Sequence, residues 1–179
     1  MTREMERPPH ADAGRHGPTT SPLAIYLNDH LLGATSGAEL ARRVATQHAR
    51  TPAGQTLIRL ADEIAEDRLA LLQVMSDLDV PARRYKIYAG WLLEKAGRAK
   101  SNGFLIRRAP LSSLLELETL RMGVEGKLLM WNSLSMLTGP QATRLDVGLL
   151  AELSDRARNQ RADLEALRLP AATAILALP

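Results

Sequence analysis

Four carboxylates fall within six residues at Asp62, Glu63, Glu66 and Asp67, followed by Arg68 and a run of leucines. Acids clustered in this way hold hard cations when they converge from several helices, and they do acid–base work when one is kept protonated. They are also what a solvated helix face looks like. Helical geometry, at about 100° per residue, separates the two cases. Leu57, Leu60, Ile64, Leu71, Leu72, Met75 and Leu78 define one apolar side. Asp62 and Glu66 point away from it, Glu63 and Asp67 lie near its edge, and Arg68 falls close to its middle.

Other polar residues share apolar stripes. His30 lies at the centre of a stripe with Leu23, Leu27, Ala34, Gly37, Ala41 and Val44, with Asp29 at its flank. Further on, Leu111, Leu114, Leu115, Glu118, Met122, Glu125, Leu129 and Met136 form one stripe, which places two carboxylates seven residues apart in an apolar seam. Gln160 sits between Ala157 and Leu164 on a leucine face. A charged carboxylate inside a core needs a partner or a proton. The expectation is a buried network in which Arg68 bridges Glu118 and Glu125, because a guanidinium fork serves two acceptors at once. His30 and Asp29 or Glu63 would complete it. A second stripe on the same helix, Leu117, Leu120, Val124, Leu128 and Trp131, then calls for a subunit interface or a covering helix.

The elements that must position these residues are helices. Hydrophobic residues make up 45% of the chain and aromatics only 3%, and Leu, Ala, Arg and Glu are strong helix formers. Ser21-Pro22 opens a helix to about His48, and Thr51-Pro52 opens a second to about Leu78. A third is expected over 82–101 in the crossover, ending at Asn102-Gly103. A capping box, Ser113 to Glu116, marks the start of a fourth to about Leu137. Gly139-Pro140 is a turn, and Asp146 caps a fifth to about Leu169, before Pro170. Residues 1–20, polar and rich in Pro, Gly and Thr, read as a disordered tail without a secretory signal; residues 171–179 read as an apolar tail that packs on the bundle or on a second subunit. The domain is then an all-α bundle over 21–170, made of two antiparallel hairpins with an extra helix in the crossover.

This layout resembles the ferritin-like superfamily. The segments YLNDHLLGATSGAELARR (26–43), EIAEDR (63–68) and PLSSLLELETLRMGVEGK (110–127) are similar to a bacterial group of ferritin-like proteins, over roughly residues 22–168. The resemblance implies the bundle but no activity. Metal-bearing members use a Glu from each of two helices and a Glu-x-x-His pair from each of the others. Here there is no Glu-x-x-His, and no histidine follows His48. A reduced carboxylate site for iron or manganese, from His30, Glu63, Glu118 and Glu125, defines the alternative of a metal oxidoreductase. Against it stands Arg68, a permanent cation where the metal would sit. The leading expectation is a non-catalytic binding or assembly module with no cofactor.

With no cysteine, thiolate metal sites, disulfides and cysteine nucleophiles are excluded, which suits a cytoplasmic protein. No apolar run reaches the roughly 20 residues of a membrane span. The net charge of +3 hides a basic strip of Arg83, Arg84, Lys86, Lys95, Arg98 and Lys100 beside Tyr85, Tyr88 and Trp91. That strip could meet nucleic acid or an anionic membrane. The favoured partner is instead a protein or a second copy of the chain, since Tyr85, Tyr88 and Leu92 share a packing face.

Overall fold

The computed structural model describes residues 21–82 and 110–177. They form four α-helices, α1 (Pro22–His48), α2 (Gly54–Asp77), α3 (Pro110–Ser135) and α4 (Val147–Leu176), with a 3-10 turn at Gly139–Arg144 between α3 and α4. No strand occurs among the described residues. The expected 1–20 tail, the 82–101 helix and the basic strip at 83–100 lie outside them, apart from residue 82.

Local chemistry explains most boundaries. Ser21 Oγ accepts from the Ala24 amide at 3.1 Å, with Pro22 at the first helical position. The turn into α2 is less regular than Thr51-Pro52 suggests. Thr51 donates its hydroxyl to the His48 carbonyl at 2.8 Å and so closes α1 rather than opening α2. The second helix begins three residues later, at Gly54, where an added Cβ would stand 2.6 Å from the Ala49 carbonyl oxygen and 2.7 Å from that of His48. Only glycine lets the two helices turn this sharply. At the far end Asp79 takes a positive φ of 53°, a conformation that aspartate tolerates, and Asn28 Nδ2 donates to the Pro81 carbonyl at 3.2 Å. Ser113 lies inside α3 rather than at its cap. Asp146 does cap α4, accepting from the Leu149 amide at 3.0 Å.

Side-chain pairs give the directions. Arg43, late in α1, reaches Glu116, early in α3. Arg59, early in α2, meets Asp163, late in α4, while Arg156 meets Glu66. The pairs α1–α2, α3–α4, α1–α3 and α2–α4 are therefore all antiparallel. It follows that α2 and α3 run the same way, so α2 ends and α3 begins at opposite ends of the bundle. Leu27, Leu60, Leu71, Trp131, Leu150 and Leu164 form the centre of one continuous core.

The face of α3 reverses the expectation. Leu117, Leu120, Val124, Leu128 and Trp131 are buried, and of the first stripe Leu114 is buried too, whereas Leu111, Leu115, Met122, Leu129 and Met136 are exposed. Both stripes are apolar, so periodicity alone could not choose between them. Packing against α1 on one flank and α4 on the other made the choice.

The last helix also departs from expectation. It runs through Pro170 to Leu176, so the residues read as a separate apolar tail are mostly helical, and Ala171 packs on the core. Proline has no amide hydrogen to give the preceding turn and crowds its carbonyl. Replacing Pro170 with alanine should therefore raise stability by about 1–2 kcal/mol in urea unfolding. An unchanged or lower midpoint would mean that the last turns do not contribute to the helix.

Candidate functional site

Among the described residues one charged residue falls wholly in the core, and it comes from the acidic run. Asp67 is only 1% exposed at its side chain. Its Oδ2 accepts from the Lys127 ammonium and from Gln160 Nε2 at 3.1 Å, while Oδ1 lies 2.5 Å from Arg156 Nη2 in an ion contact without hydrogen-bond alignment. Lys127 also donates to Gln160 Oε1 at 2.5 Å. Gln160 Nε2 reaches Glu63 at 3.1 Å, Glu63 accepts from Arg59 at 2.7 Å, and Arg59 reaches Asp163 at 2.7 Å. Asp67 thus binds α2 to α3 and α4 at once. The seam between α2 and α4, whose backbones approach least of the neighbouring pairs, is spanned by these long side chains.

Burial pushes the Lys127 ammonium below the usual lysine range, with Asp67 opposing the shift. A cation in this position is stable only because a carboxylate and an amide oxygen replace its water.

The opening residues now have places. Glu63, Glu66 and Asp67 face α4 and receive its arginines and glutamine, while Asp62 is exposed. The expected network of Arg68 with Glu118 and Glu125 does not form as drawn. Arg68 Nε donates to Thr35 Oγ1 of α1 at 3.0 Å. Glu118 and Glu125 are 40% and 39% exposed at their side chains and pair with Arg168 at 3.7 Å and Arg161 at 3.0 Å, both from α4. The reason is the reversed face of α3, which turns both glutamates outward to the α3–α4 rim. His30 is half-buried, edge-on to Tyr26 with ring centroids 4.5 Å apart, and Asp29 beside it is exposed. Burial lowers the His30 pKa, with Asp29 pulling the other way.

His30, Glu63, Glu118 and Glu125 are therefore not brought together as the four-residue metal set. Among the described residues no three His, Asp or Glu side chains converge as an ion site would require. Lys127 is the residue that sequence reasoning missed. A signal existed: its helical neighbours Gly123, Val124, Met130 and Trp131 are all apolar or glycine.

Beside this cluster a cleft of about 430 Å³ opens between α1 and α3. Asp67, Lys127 and Trp131 line it together with Leu40, Ile64 and Leu71, and His30 and Asp29 also reach it. Gly33 and Gly37 of α1 face it, as do Gly123 and Gly126 of α3. A Cβ added at any of the four would meet no atom of the described residues within 4 Å.

No protein-family model matches this chain, and neither curated proteins nor solved structures yield a match to it. No helix among the described residues is long and apolar enough to cross a membrane.

The two kinds of carboxylate should respond differently to truncation. Asp67→Ala leaves Lys127 and Arg156 without their shared anion, and unfolding free energy should fall by about 3–5 kcal/mol. Glu118→Ala removes a rim pair and should cost less than about 1 kcal/mol. Equal losses in parallel urea titrations would refute the assignment of Asp67 as the buried centre.

Proposed function

We propose that this chain is a non-catalytic binding module built on a ferritin-like layout, and that its binding site is the cleft between α1 and α3. Two antiparallel hairpins, with the second and third helices parallel, support the ferritin-like reading, since one long crossover is what that arrangement requires. The charged residues beside the cleft support a binding rather than a catalytic role. Asp67 and Lys127 are held by each other and by Gln160, which suits a fixed wall better than a proton shuttle.

The observation that carries the reading is the set of four glycines. A glycine inside a helix costs about 1 kcal/mol relative to alanine. Close packing normally explains such a residue, yet here no described residue stands within 4 Å of the missing Cβ. A sequence that keeps four of them on two facing helices is keeping room for an occupant. The cleft falls within the size range of ligand sites, and its lining is mostly apolar with a few polar groups.

Gly37→Ala and Gly123→Ala should each stabilise the fold by about 0.5–1 kcal/mol. Gly123→Leu should fill the space and abolish the fluorescence gain of the apolar dye anilinonaphthalene sulfonate. Dye binding that survives Gly123→Leu unchanged would place the site elsewhere.

A second reading, assembly with another copy, is favoured by one observation. Leu115, Met122 and Leu129 along α3, and Met136 just past its end, are exposed at seven-residue spacing. That is the seam a second helix packs against with slight supercoiling. Sedimentation should then show a concentration-dependent dimer that Met122→Glu with Leu129→Glu converts to monomer. A monomeric wild type at every concentration would remove this reading.

A further inference from the structure

Two residues lining the cleft have hydrogen-bond donors left to offer a ligand. Trp131 is wholly buried and lines the cavity, and its indole Nε1–H meets no acceptor among the described residues. A buried donor left unpaired is costly, at about 1–3 kcal/mol. Lys127 lines the same cavity. An ammonium has three N–H groups, and two of these go to Asp67 Oδ2 and Gln160 Oε1. Positions 127 and 131 are four apart and so neighbour each other on one face of α3.

The remaining wall is elongated and mostly apolar, with Asp29, His30, Ser36, Asp67 and Thr119 as its other polar residues. It runs from His30 to Leu40 on α1 and from Thr119 to Trp131 on α3, which at helical rise is about 15 Å. Spread over that length, a volume of 430 Å³ gives a cross-section on the order of 30 Å². A hydrocarbon chain or a flat ring fits such a trench.

We infer that the cleft takes a small amphiphilic monocarboxylate, its apolar body lying along the glycine-lined trench and its two oxygens accepting from Lys127 Nζ and Trp131 Nε1. This assignment rests on the cleft being the binding site. A carboxylate brings two acceptor oxygens to two waiting donors. A phosphate monoester would bring a third oxygen and more charge with no donor to meet them, and a cationic head would be repelled by Lys127.

The test compares heads on one chain. Decanoate, decanol, decyl phosphate and decyltrimethylammonium are titrated into the full-length protein by calorimetry below their micelle concentrations. In parallel the Trp131 indole N–H resonance, assigned by its loss in Trp131→Phe, is followed by NMR. Decanoate should bind at least about tenfold more tightly than the other three, because its hydrogen bonds are charge-assisted. It should also shift the Trp131 indole resonance, and Gly123→Leu should abolish its binding.

Equal affinity for all heads, tighter binding of the phosphate, or an unmoved indole resonance would overturn the carboxylate assignment while leaving the cleft as an apolar site. Failure of all four to bind would overturn the cleft reading too, as it would if the occupant were another part of the chain or a partner helix.

Discussion

The structure depends on one carboxylate being paired away from water. Asp67 of α2 sits in the centre of the bundle with Lys127 from α3, Gln160 and Arg156 from α4, and none of these three helices can shift without unpairing one of them. Such a group adds little net stability over an apolar replacement, since desolvation offsets much of the attraction. Its effect is on arrangement. Leucine seams tolerate sliding and rotation, whereas a buried ion with three fixed partners accepts a single register.

That constraint divides the bundle into unlike seams. Between α2 and α4, whose backbones stay well apart, arginines and acids reach across: Arg59 to Asp163, Arg156 to Glu66 and Asp67, and Gln160 to Glu63. Between α1 and α3 the backbones approach less than within either hairpin, and glycines stand where larger side chains would have filled the gap. Lys127 belongs to both regions, because its ammonium is anchored in the polar centre while its side chain lines the cleft. By fixing α3 against α2, the polar centre sets two of the helices that line the cleft.

The outer surfaces follow a different rule. Along the α3–α4 rim, Glu118, Arg121, Glu125, Arg161, Glu165 and Arg168 pair with one another at part exposure, where water and salt weaken each pair. Beside this rim the exposed stripe from Leu115 to Met136 leaves α3 apolar on the side away from the core. A helix apolar all round needs cover on more than one side, and the core supplies only one of them.

Much was legible in the residues themselves. The helical class followed from composition, and Ser21-Pro22 and Asp146 marked two helix starts because their side chains cap backbone amides within the same turn. The inward lean of Asp67 and Gln160 could be read from helical spacing. Local rules did not reveal the rest. Two equally apolar stripes on α3 could not be ranked, so Glu118 and Glu125 were placed inside and Lys127 was overlooked. Pro170 read as a stop because the tertiary contacts that carry α4 past it were not visible. The sequence by itself determined which segments are helical and which residues are able to be buried, since both depend on neighbours within a turn or two. Only the tertiary structure decided which apolar face of α3 turns inward and which cation meets Asp67. Those outcomes depend on the relative rotation of whole helices, which is set by contacts between residues 60 to 100 positions apart.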